Sequence, residues 1–154
     1  MATDIKQMAR RLLDEVWSKG NYEVLDELVD ANFKAEDPVI GQFDKAGYID
    51  VVKSYRTAFP DLKVEPVSIV TDGNFVCTRW IARGTNKGSF LGMEPSNKFG
   101  ETKGLDMAEV RNGKFISDFT VYDSLSLLRQ LGLDTVAVPT PELHKTPERT
   151  EKRA

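Results

Sequence analysis

The hydrophobic period of this chain changes at Pro60. Before it, apolar residues recur at helical spacing; after it they alternate, as in half-buried strands. Ile5, Met8, Ala9, Leu12, Leu13, Val16 and Trp17 predict an amphipathic helix over residues 4–18, capped by Thr3 and stopped at Gly20. Tyr22, Leu25, Leu28 and Val29 continue the spacing in a short second helix. Phe33 to Glu36 reads as a short edge strand ended by Asp37-Pro38. A third helix starts at Asp44, carries Tyr48, Val52, Tyr55 and Phe59 on one face, and stops at Pro60.

Beyond Pro60, residues 62–71 and 74–83 form a hairpin around Asp72-Gly73, and residues 101–111 and 114–122 form another around Asn112-Gly113. Between them, residues 84–100 are rich in Gly, Asn, Ser and Pro, yet hold Phe90, Leu91 and Met93, which a solvated loop would not favour. Ser124 to Leu131 then reads as a short helix with Gly132 at its C-terminal cap. The expected fold is α+β: N-terminal helices packed on a curved antiparallel four-strand sheet plus the short edge strand. Rolled around the first helix, such a sheet leaves a conical, apolar interior. The expected division is one domain over residues 1–135 and a polar tail over 136–154 bearing Pro139, Pro141 and Pro147.

Composition narrows the function. With 21 basic and 24 acidic residues the net charge is -3, which favours neither nucleic acid nor an anionic membrane surface. No apolar stretch approaches the ~20 residues of a membrane span, and the N-terminus lacks a signal-peptide pattern. Cys77, the single cysteine, cannot form an internal disulfide, so a cytoplasmic protein is expected. The single histidine, His144, lies in the tail, which removes Ser-His-Asp, Cys-His and ordinary zinc chemistry from the domain. No phosphate-binding glycine loop occurs. Chemistry is left to carboxylates, Arg, Lys, Tyr and backbone groups.

The segments EVWSKGNYEVLDELVDANF (15–33), AFPDL (58–62), GTNKGSFLGMEPSNK (84–98) and VRNGKFISDFTVYDSLSLLRQLG (110–132) carry a likeness. Through them the chain resembles the SnoaL-like polyketide cyclases, also labelled ester cyclases, of the NTF2-like superfamily of cone-shaped barrels. That resemblance implies an intramolecular aldol ring closure on a small hydrophobic carbonyl substrate, without cofactor or metal, in a homodimer or higher homo-oligomer. Hydroxylases, epoxide hydrolases, isomerases and plain binding proteins share the fold. The chain departs from the family at Glu36, where a histidine often stands, at Glu109, where an arginine often stands, and at Phe119, a tryptophan in many members.

Asp123 stands where the cyclases keep their acid/base aspartate. Counted by twos from Phe115, Ser117, Phe119 and Val121, its side chain shares a mostly apolar strand face, where desolvation would raise its pKa and suit it to proton transfer. It also directly precedes an apolar helical run, as an N-cap does, and the two readings compete for one carboxylate. Asp106 or Glu109 would join it according to hairpin register: a two-residue loop brings Asp106 to its face, a three-residue loop Glu109 and Met107. Glu36 could orient substrate or accept a proton, while Asp37 organises the Asp-Pro turn. Arg79 reads as a surface residue. Trp17, Tyr55, Phe59, Trp80, Phe90, Met93 and Phe119 are the candidate lining of the pocket.

Overall fold

The computed structural model describes residues 4–133; the expected cap Thr3, the tail and His144 lie outside them. Asp4 caps the first helix instead, its carboxylate accepting from the Gln7 amide at 3.1 Å. Helix α1 (Ile5–Arg11) runs into a π-helical segment, Leu12–Ser18. There the Lys19 amide reaches back five residues to the Asp14 carbonyl at 3.1 Å, widening the turn. The short α2 (Glu23–Leu28) buries Val24, Leu25 and Leu28 and feeds straight into β1 (Val29–Asp37). After β2 (Gly41–Asp44), α3 (Lys45–Ala58) begins at Asp44, whose carboxylate accepts from the Gly47 amide at 2.9 Å. Strands β3 (Lys63–Asp72), β4 (Phe75–Thr85), β5 (Phe99–Arg111) and β6 (Lys114–Tyr122) precede α4 (Ser124–Leu131).

The α+β class expected from the sequence holds, but the sheet is larger and mixed. Six strands stand in the order β2-β1-β6-β5-β4-β3. Every neighbouring pair is antiparallel except β1 and β6, which run parallel. The short edge strand expected at Phe33–Glu36 is the middle of β1, second in the sheet, and β2 takes the edge. Local pattern could not show this, because the β1 partner lies at the far end of the chain.

The β5–β6 hairpin fixes the register left open above. Arg111 faces Lys114 across the two-residue loop Asn112-Gly113, both residues at positive φ (49° and 74°), the conformation that matches strand twist. One pair further on, the ladder slips: Val110 faces Phe115, but Glu109 faces Ser117, leaving Ile116 as a bulge. This extra residue reverses the face of everything after it. Asp118, Thr120 and Tyr122 point inward, while Phe119 and Val121, 39% and 37% exposed, face outward. In the first hairpin Asp72 faces Phe75, so the turn is Gly73-Asn74, one residue later than expected.

Two apolar clusters hold the helices to the inner sheet face. One gathers Val16, Leu25, Val52, Val76 and Phe115. The other joins Leu13, Ala58, Phe59, Phe90 and Leu131. Residues 86–98 are organised by the fully buried Asn86, which donates to the Gly88 carbonyl at 2.8 Å and accepts from the Ser96 amide at 2.7 Å. That anchorage explains the apolar loop residue Phe90, which is buried edge-on against Tyr55 and Phe59. No helix among the described residues is long and apolar enough to cross a membrane.

Candidate active site

Between the clusters, the inner sheet face and the helices line a cavity of about 90 Å³. Its wall is mostly apolar and aromatic. The π-helical turn presents Leu12, Leu13 and Trp17 to it. Arg56 fixes that turn by donating to the carbonyls of Trp17 (2.9 Å) and Ser18 (2.6 Å). The Trp17 indole N–H donates to the Tyr48 hydroxyl at 2.8 Å, so the phenol keeps its own proton for another acceptor. Tyr55 from α3 and Tyr122 from β6 share a hydroxyl–hydroxyl bond of 2.7 Å. One proton of that pair makes the bond; the other is left to donate. Trp80 lies over Gly104, its strand partner, so closely that a Cβ at Gly104 would collide with the indole ring. Glycine is what lets this ring lie on the sheet.

Two aspartates face this cavity, half-buried as residues but with their carboxyl groups deep among neighbouring atoms. Asp106 on β5 stands opposite Thr120, and Asp118 on β6 stands opposite Ala108, which makes the aspartates diagonal neighbours on one face. Such a pair lies roughly 7 Å apart. Burial raises the Asp106 pKa, and the Asp118 charge raises it further; the nearby polar side-chain groups of Trp80 and Thr78 oppose the rise. Burial likewise raises Asp118, against hydrogen bonding from Thr120 and the backbone, with Asp37 adding repulsion. The Asp118 Oδ1 atom is buried without a hydrogen-bond partner. Asp37 also lines the cavity, its Oδ1 accepting from the Val39 amide at 2.7 Å in an Asx-type turn. Burial holds Tyr48 and Tyr55 well above the ordinary phenol range and raises Tyr122 as well, so all three remain proton donors. The arrangement offers carboxyls able to exchange protons near neutrality, phenolic donors, and aromatic walls that exclude water.

Several expected site residues are here: Trp17, Tyr55, Phe59, Trp80 and Asp106 line the cavity. Glu36 borders it but is exposed, since β1 turns Phe33, Ala35 and Asp37 inward. Phe90 supports the wall from behind Tyr55 and Phe59, and Met93 pairs with it across an isolated bridge. Others are elsewhere. Glu109 is bound to Arg111 at 2.8 Å, and Phe119 is on the outer face. Arg79 is exposed, as expected.

The placement of Asp123 is corrected. It is exposed and outside the cavity lining, and its Oδ1 accepts from the Ser126 amide at 3.0 Å as the N-cap of α4. The Ile116 bulge carries Asp118 into the inward position that counting by twos had given to the odd-numbered residues. Asp118, Tyr48 and Tyr122 were missed for that reason or because they read as ordinary core. A signal was available: Asp118, Thr120 and Tyr122 alternate as polar residues against Phe119 and Val121.

Residues 7–131 match a family model described as SnoaL-like polyketide cyclase. No curated protein matches the chain. Among solved structures, IdmH from Streptomyces antibioticus, a candidate polyketide cyclase, is 28% identical over 82% of this chain and 97% of its own, with a TM-score of 0.74. A candidate polyketide cyclase from Acidithiobacillus ferrooxidans is 27% identical over 86% of this chain and 98% of its own, TM-score 0.73. AclR from Streptomyces galilaeus, a candidate hydroxylase, shares the fold at 18% identity, TM-score 0.75, over 87% and 84% of the two chains.

Proposed function

Because the chain belongs to the SnoaL-like polyketide cyclase family, we propose that it closes a ring in a hydrophobic, carbonyl-rich polyketide-like substrate by an intramolecular aldol reaction, with Asp106 and Asp118 as the acid/base pair. The observation that carries this reading is the diagonal pair itself: two buried carboxyls on one sheet face, raised in pKa, against an aromatic cavity. One carboxylate takes the proton from a carbon flanked by carbonyls. The resulting enolate carbon attacks a second carbonyl within the same molecule, forming the C–C bond and leaving an alkoxide. That alkoxide takes back the proton held by the carboxyl, so substrate and product are isomers and no co-reactant is consumed. The spare hydroxyl proton of the Tyr55–Tyr122 pair supplies a neutral donor to oxygen as charge develops. The acid/base role that the sequence offered to Asp123 thus moves five residues earlier in the chain, to Asp118, which faces the cavity.

Turnover of an aromatic polyketide methyl ester tests the reading. Asp118→Asn and Asp106→Asn should each lose about 10²–10⁴-fold in rate, the usual loss for a general acid/base group. Wild-type rates in both variants would refute it, and a cavity that binds such esters without turnover would make the chain a binding module.

The outer sheet face supports a second part of the proposal, a homodimer. Leu105, Met107, Phe119 and Val121 lie there side by side across β5 and β6, 37–49% exposed, a run of apolar surface that a monomer in water has reason to cover.

A further inference from the structure

The charge balance of the cavity is one-sided. Glu36, Asp37, Asp106 and Asp118 line it, and among the described residues the one basic side chain bordering it is Arg83. Arg83 is already committed to Glu65 and Glu101, each at 2.7 Å. Buried carboxyl groups are ordinarily matched by a cation or by hydrogen bonds, and Asp118 Oδ1 has neither among the described residues. Trp17, Tyr48 and Trp80 line the same cavity, and aromatic rings are the side chains that attract organic cations. The described residues hold no group of three or more metal-ligating side chains, which favours an organic cation over a metal ion.

We propose that the cavity binds a hydrophobic ammonium ion bearing at least one N–H, seated between Asp106 and Asp118 and enclosed by the aromatic wall. The proposal shares the cavity with the ring closure but not its chemistry. An N–H is required because Asp118 Oδ1 needs a donor; a quaternary ammonium would satisfy the charge and leave that atom unpaired. Binding in the charged form draws a proton off the carboxyl pair; burial raises both pKa values, the Asp118 charge adds to the rise at Asp106, and Asp37 adds to the rise at Asp118. Other titratable or charged groups around the pair are Glu36 and Asp37 on β1, Tyr48 and Tyr55 on α3, Cys77 and Arg83 on β4 and Tyr122 on β6, and the phenols stay protonated throughout. Amine affinity therefore rises with pH through the titration of the pair, until the amine itself deprotonates.

Isothermal titration of cyclohexylmethylamine, cyclohexylmethanol and the N,N,N-trimethyl ammonium analogue tests this in buffers of differing ionisation heat. Expected are an amine preference over the alcohol of at least about tenfold, tightening from acid to neutral pH, proton release on binding, and weaker binding of the trimethyl analogue. Asp118→Asn should abolish the preference for the amine over the alcohol, and Asp106→Asn provides a second variant should the first fail to fold. Equal affinity of amine and alcohol for the wild type, or magnesium chloride competing with the amine, would overturn the proposal. Ester turnover without amine preference refutes this inference alone; amine preference without turnover refutes the ring closure alone.

Discussion

Replacing Asp118 by asparagine should make the protein more stable, and by an amount that depends on pH. The side chains are nearly isosteric, so packing changes little; what is lost is the ability to ionise in a buried place. Burial lifts the Asp118 pKa from an ordinary 3.8 to about 7. Between those values the folded state holds a proton that the unfolded state has released. Stability of the wild type therefore falls as pH rises through that window, and is level below and above it. The asparagine variant has no such slope at this position. A shift of roughly 3 units at ~1.4 kcal/mol each sets an upper bound near 4 kcal/mol, and we expect about 2–4 kcal/mol once the neighbouring titration is included. Removing the Asp118 charge also removes one cause of the Asp106 rise, so Asp106 should titrate at lower pH in the variant. Urea denaturation across the pH range measures both effects, with unchanged m-values confirming an unchanged fold. A difference that stays constant with pH, or a wild type that gains on the variant as pH rises, would refute the reasoning.

Other consequences are as direct. Asp123→Ala should cost a helix cap, about 0.5–2 kcal/mol in chemical denaturation, with turnover within severalfold of wild type. Gly104→Ala should drive Trp80 off the sheet, with a stability loss of about 1–3 kcal/mol and a shift in tryptophan emission. Met107→Lys should yield a monomer in sedimentation velocity if the outer face joins two copies, and an unchanged sedimentation coefficient would remove that interface.

Features governed by near neighbours were legible in the sequence. Asp44 and Gly132 end their helices as their chemistry requires, and Asn112-Gly113 makes the two-residue turn it encodes. Features governed by distant partners were not. β1 pairs with β6 only because the chain returns to it, and β2 follows too short a segment to announce itself. The candidate site fell on this boundary. Tyr55, Trp80 and Asp106 lie on elements whose inward faces follow regular periods, and they reached the cavity, as did Trp17 on the π-helical turn and Phe59 at the end of α3. Asp118 lies beyond a bulge, where one unpaired residue inverts the count. Phe119 and Val121 deepened the error: their apolar side chains look like core but cover the outer face of the sheet.

A crystal structure with a non-cyclising substrate analogue tests the central claim most directly, by where it puts the acidic carbon. Our account places that carbon roughly 3–3.5 Å from a carboxylate oxygen of Asp118 or Asp106, with an oxygen of the ligand on the Tyr55–Tyr122 hydroxyls. Asp123 should still be seated on the Ser126 amide. An analogue whose acidic carbon lies against Asp123, with the β5–β6 pair turned away from it, would contradict the account.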